Sequence, residues 1–135
     1  MRSSEHADLL LRKARQDEFA LEKLISDPAS PDEILGFHAQ QAVEKALKAV
    51  LALHNVRYPF IHDLKALVDL LAKNKISVPQ EFEEVRLLTP FATVFRYEYL
   101  PAEPRRGLDR SWALDIVRRV RAWAEAAVKT KPETI

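Results

Sequence analysis

No cysteine occurs in the 135 residues, which excludes disulfides and thiolate metal sites and leaves no trace of a secreted disulfide scaffold. Glycine is nearly absent as well: only Gly36 and Gly107 are present, too few for a loop that cradles phosphates, and no serine sits in a nucleophile elbow. No apolar run approaches the length of a membrane span. The opening stretch "MRSSEHADLLLRKARQDEF" mixes acids and bases too closely for the apolar core of a signal peptide. The expectation is a soluble protein, no membrane partner, with the cytoplasm as its compartment. The histidines, His6, His38, His54 and His62, include no pair four apart on a helix, and no carboxylate cluster completes a metal shell, so neither a metal nor a cofactor is expected.

What is present is a chain 47% hydrophobic and 30% charged, enough for one respectable core, and residues 1–135 read as a single domain. The formal charge of +1 conceals a mild asymmetry, because residues 96–135 hold nine basic against six acidic side chains. That excess leans weakly toward anionic partners.

Long stretches rich in Ala, Leu, Glu, Lys and Arg run between prolines, and the spacing predicts five helices and no sheet. The first, about 4–26, turns Ala7, Leu10, Leu11, Ala14, Leu21, Leu24 and Ile25 to one side. "SPDE" predicts the start of the second, with Ser30 as cap, Pro31 in the first position and Glu33 reaching back. That helix should reach His54, where Asn55 can take the left-handed conformation that closes it. A loop, "VRYPFI", leads to a third helix with Asp63 at its start and a seam of Leu64, Leu67, Val68 and Leu71. The fourth carries Phe82, Val85, Leu88 and Phe91 inward and is expected to kink or end at Pro90. "RYEYLPAEPRRGL", 96–108, reads as irregular, and ordered loops of that length are often functional. A last helix from about 109 to 128 should bury Trp112, Ile116, Val120, Trp123 and Ala127, with 130–135 as a frayed tail. Helices with apolar faces and short connections pack as an up-and-down antiparallel bundle, so the fold class is all-α, with a four-helix core.

The polar residues of "QQAVEKALKAV" raise one question. Gln41, Glu44, Lys45 and Lys48 recur along one helical face while Ala42, Ala46, Ala49 and Val50 fill another. A Glu44–Lys48 pair on an exposed helix contributes only about 0.2–0.5 kcal/mol, so the spacing alone reads as a solvated stripe. Adjacent Glu83 and Glu84 point in different directions and read as surface, and His38 reads as hydrogen-bonded packing at a helix interface.

Taken together, "FHAQQAVEKALKAVLALH", "HDLKALVDLL" and "FRYEYLP" resemble the HEPN family, the helical domains named for nucleotide binding in higher eukaryotes and prokaryotes. The matching residues are Gln41, Ala42, Glu44, Lys45 and Lys48, then His62, Asp63 and Leu64, then Arg96 with Tyr97. The resemblance implies an up-and-down helical bundle, usually a homodimer, often encoded beside a minimal nucleotidyltransferase. It also implies that the polar face around Gln41, Glu44 and Lys45 forms a structural network or a dimer contact.

Many members of the family are ribonucleases in which an arginine is followed, four to six residues on, by a histidine. Arg57 and His62 match that spacing, but they precede the third helix, whereas the family's motif belongs near the last helices. There, Arg96 is followed by Tyr97, Glu98 and Tyr99, and no histidine occurs after residue 62. The resemblance therefore implies a non-catalytic, dimeric partner of a nucleotidyltransferase. Arg96, Tyr97, Tyr99, Arg105 and Arg106 are its candidates for binding a nucleotide or RNA phosphate, and Tyr97 and Tyr99 are candidate nucleotidyl acceptors. Arg96 reads equally as an anion-binding side chain or as a structural partner of Glu44 or Asp63. Two alternatives stand beside this one: a metal-independent ribonuclease toxin of a toxin–antitoxin pair, and a helical assembly module without a ligand.

Overall fold

A computed structural model describes residues 3–96 and 107–130, with the backbone alone at 93–96. These residues form five helices and no strand: α1 (Ser3–Ile25), α2 (Asp32–Leu53), α3 (Leu64–Lys73), a 3-10 helix η1 (Gln80–Arg96) and α4 (Arg110–Thr130). The all-α expectation holds, and α4 runs through Thr130, where the sequence suggested fraying. Residues 131–135 lie outside the described ones.

Polar pairs fix the helix directions. Between α1 and α4, Arg15 meets Glu125, Glu18 meets Arg121 and Glu22 meets Arg118, a ladder that descends one helix as it climbs the other. Ser3 on α1 donates to Asn55 just past α2, while Asp17 further along α1 meets His38 and Lys45. Glu81 and Glu84 of η1 pair with Arg119 and Trp112 of α4. Accordingly α1 and η1 run one way, α2 and α4 the other, and these four make the core, with α3 packed beside η1 and α2.

The second helix is the centre of the molecule. Leu35, Ala39, Val43, Leu47 and Val50 are buried on it together with Ala42, Ala46, Ala49 and Leu53, so apolar side chains surround most of its girth. Alanines let the neighbouring helices approach closely, and Gly36 takes this furthest: a Cβ there would overlap the ring of Phe91 on η1. From the other elements the core receives Leu11 and Leu21, Leu64, Leu67 and Leu71, and Ile116 and Val120. Leu24, read as inward, is exposed at the last turn of α1, where the chain is already leaving the core, and Trp112, Trp123 and Ala127 are only half-buried.

Two helix ends share one device. Asn55 (φ 58°) and Lys75 (φ 61°) both adopt the left-handed conformation. After α2, Asn55 N–H donates to the Ala52 carbonyl at 3.0 Å and Val56 N–H to Leu51 at 2.9 Å. After α3, Lys75 N–H donates to Ala72 and Ile76 N–H to Leu71, both at 3.0 Å. This is the Schellman arrangement, with Val56 and Ile76 as the apolar residues that follow it onto the core. Asp63 caps α3 as expected, accepting from Ala66 N–H at 3.2 Å.

Two expectations fail. Ser30 does not cap α2: its hydroxyl donates to the Leu24 carbonyl at 2.8 Å, closing the α1–α2 turn, and no side chain caps that helix. The fourth helix neither kinks off nor ends at Pro90 but continues to Arg96 as a 3-10 helix. Phe82, Val85, Leu88 and Phe91 are spaced by three, and side chains three apart eclipse one another at three residues per turn, so a 3-10 path puts all four in one buried row. Pro90 sits on the exposed side of that row.

Candidate functional site

The middle of α2 and the segment leading to α3 carry the polar centre. Gln40, Glu44 and Lys48 succeed one another at four-residue steps and form one row on the helix. They are 0%, 5% and 9% exposed, and Gln41 and Lys45 of the same stripe are half-buried, so the solvated-stripe reading of Gln41, Glu44, Lys45 and Lys48 is wrong. The reason is the enclosure of α2: Tyr58 and His62, from the segment before α3, lie against the side of the row that would face water.

The row is closed by hydrogen bonds. Gln40 Nε2 donates to Glu44 Oε1 at 2.9 Å and to the His62 carbonyl at 3.1 Å. Gln41 Nε2 donates to Gln40 Oε1 at 2.7 Å. Lys48 Nζ donates to Glu44 Oε2 at 3.0 Å, and His62 Nδ1 lies 2.8 Å from Glu44 Oε1. Lys48 Nζ also sits 5.3 Å from the centre of the Tyr58 ring, and the Tyr58 hydroxyl lies 3.1 Å from His6 Nε2 on α1. Among the described residues, every buried side-chain nitrogen and oxygen has a hydrogen-bond partner.

Burial alone would push the Glu44 carboxyl upward, but the hydrogen bonds from Gln40, His62 and Lys48, with the Lys48 charge, outweigh it and hold the acid below its ordinary range. Glu44 is an anion at neutral pH. Tyr58 moves upward, first through burial and then through the negative charge of Glu44, so its phenol stays protonated.

A second cluster lies beside the first. On α1, Asp17 takes Lys45 Nζ on Oδ2 at 2.5 Å and lies 3.1 Å through Oδ1 from His38 Nδ1. The two clusters share a core of one carboxylate, one lysine and one histidine approached through Nδ1. Each acid is thus paired with its own lysine. His38 packs edge-on against Phe37, with ring centres 5.5 Å apart, in keeping with its reading as hydrogen-bonded packing.

The structure therefore brings together Gln41, Glu44, Lys48 and His62, places Lys45 in the adjoining cluster, and leaves Asp63 at the surface as the cap of α3. Arg96 ends η1 with its side chain outside the described residues, and Tyr97, Tyr99, Arg105 and Arg106 lie outside them altogether. Gln40, Asp17 and Tyr58 are members of the site that the sequence did not single out. Gln40 carried a signal, since it precedes Glu44 by one helical step; Asp17 and Tyr58 arrive from other elements and carried none. Among the described residues, no group of three or more His, Asp or Glu side chains could hold a metal ion, and no helix is long and apolar enough to cross a membrane.

Arg110 at the start of α4 is a clamp the sequence did not announce. Its guanidinium donates to Asp32 Oδ1 at 3.1 Å, to the Asp27 carbonyl at 3.1 Å and to the Ser30 carbonyl at 2.6 Å. Leu108 N–H donates to the other oxygen of Asp32 at 3.1 Å. The first turn of α2 thus anchors the start of α4.

Compared with known proteins, residues 7–129 match the family model described as HEPN domain. No curated protein and no solved structure matches the chain.

Proposed function

The chain belongs to the HEPN domain family, and from that premise we propose that it is a non-catalytic binding module, dimeric, that works as the partner of a minimal nucleotidyltransferase. The observation that supports this most is the closure of the polar centre. Glu44 is shared by Lys48, Gln40 and His62, and the His62 carbonyl is bonded to Gln40 in turn. His62 thereby fastens the loop before α3 to α2 through both side chain and backbone. Histidine in this role is architecture, and the Arg57–His62 spacing is incidental. Nucleotide or RNA phosphate is assigned in this reading to Arg96, Tyr97, Tyr99, Arg105 and Arg106, with Tyr97 and Tyr99 as acceptors: the phenol oxygen bonds the α-phosphorus of a nucleoside triphosphate, the α–β anhydride bond breaks, pyrophosphate leaves and the phenol proton passes to solvent. Arginine beside an acceptor hydroxyl supplies the positioning and charge stabilisation that such a transfer requires.

One observation favours the ribonuclease reading. A carboxylate on Nδ1 is the arrangement that orients an imidazole for proton transfer, and Glu44 is so placed on His62. Against it, the same carboxylate is already neutralised by Lys48, which weakens its hold on an imidazolium.

The test is co-expression with the minimal nucleotidyltransferase of a neighbouring reading frame, followed by gel filtration and intact-mass spectrometry after addition of a nucleoside triphosphate. Co-elution, with a nucleotidyl mass that disappears in Tyr97→Phe, Tyr99→Phe, is the expected result. Separate elution with no added mass would refute the partnership.

A further inference from the structure

Phe60 is the one large apolar side chain among the described residues that stands wholly in solvent, at 106% of its reference exposure. A side chain of that size left in water is ordinary on a loose loop, but this loop is fastened along its length. Asn55 is held by Ser3, and Val56 N–H is bonded to Leu51. Tyr58 is gripped by His6 and Lys48, and Ile61 N–H bonds to the Pro59 carbonyl at 2.8 Å. His62 is bonded to Glu44 and Gln40, and Asp63 caps α3. Anchored residues alternate with displayed ones: Val56, Tyr58, Ile61 and His62 are half-buried, and Arg57, Pro59 and Phe60 are exposed. An aromatic side chain and an arginine held out by a preorganised frame lose little conformational entropy on being covered, and such residues are the usual anchors of protein interfaces.

We infer that this loop is the two-fold contact between two copies of the chain, with Phe60 on the axis. The inference rests on the dimer in the functional reading above and names its surface. What selects a second copy as the occupant is charge. Arg57 and Asp63 are both exposed and lie three residues to either side of Phe60, one positive and one negative. A two-fold axis through Phe60 sets Arg57 of one copy against the partner's Asp63, and does so twice, while the two Phe60 rings cover each other. A self-complementary patch is what an isologous interface requires. A stable interface covers roughly 800 Å² of each partner, more than this loop offers, so the contact extends onto the outer side of α3, where Lys65 and Asp69 are exposed.

Sedimentation of the full chain tests this. Phe60→Ser is expected to weaken the dimer by about 30-fold, the loss typical of an interface anchor. Arg57→Glu alone and Asp63→Lys alone each place like charges across the axis and weaken it too. An equimolar mixture of those two variants restores dimer, because in the mixed pair both contacts join opposite charges again. Melting curves of each variant verify folding, which matters for Asp63→Lys since it removes the cap of α3. A wild-type dimer indifferent to Phe60→Ser, or a mixture that fails to recover, overturns this contact and leaves the dimer standing elsewhere. A wild type that is monomeric throughout overturns the dimer itself. A Phe60→Ser chain that remains dimeric but loses the nucleotidyltransferase assigns the loop to that partner and overturns the two-fold contact.

Discussion

His62 Nδ1 lies 2.8 Å from Glu44 Oε1, and through that pair the loop preceding α3 is tied to the middle of the central helix. Because Glu44 also accepts from Lys48 and Gln40, one buried carboxylate holds three donors from two parts of the chain. Removing it takes away more than an ion pair: Lys48 is left buried beside Tyr58 without its counter-charge, and the loop loses its anchor.

Glu44→Gln is therefore expected to cost about 3 kcal/mol, the usual penalty for leaving a buried charge unpaired. Adding Lys48→Met should recover part of that loss, giving a coupling of at least about 1 kcal/mol between the two sites. Urea unfolding of the four chains measures it, and strictly additive costs would show that the pair is not a unit.

The same carboxylate sets an acid limit. Its folded-state pKa lies below the ordinary 4.5, so its stabilising contribution is fully present above that value and is lost as pH falls through the lower, folded-state one. The stability gap between wild type and Glu44→Gln should hold while the pH stays above the ordinary carboxylate value of 4.5 and narrow as it falls through the lower, folded-state one. A gap that widens on acidification would mean the sign is wrong.

Gly36→Ala should destabilise the fold by about 1–3 kcal/mol, as overpacking does, because its methyl would overlap the Phe91 ring. Phe91→Leu in the same chain should cost less than the sum of the two changes. Thermal melts of the single and double variants decide this.

Lys75→Gly should have the opposite sign. Lys75 takes φ 61° where no hydrogen bond of its side chain is needed to close α3, and an L-residue there costs on the order of 1 kcal/mol. A rise in stability of about 0.5–1 kcal/mol is expected, net of the greater freedom of glycine in the unfolded chain. A fall would show that the lysine side chain contributes at that position.

Much of this was legible because the information was local. The seam of α3, the cap at Asp63 and the left-handed Asn55 follow from residues a few positions apart. The Glu44–Lys48 pair was legible as spacing but misjudged as surface, since nothing within α2 reveals that Tyr58 and His62 fold back over it. Asp17 and Arg110 were invisible for the same reason: their partners lie 28 and 78 positions away. The 3-10 path of η1 did leave a signal in the exact triplet spacing of Phe82, Val85, Leu88 and Phe91, which fits three residues per turn better than 3.6.

What His62 does separates an architectural polar centre from a catalytic one. Purified wild type and His62→Ala, incubated with labelled single-stranded RNA in chelator, measure it directly. The result predicted is no cleavage by either chain, with His62→Ala lowered only in stability. Clear metal-independent cleavage by the wild type that disappears in His62→Ala would contradict it and make the Glu44–His62 pair a catalytic dyad.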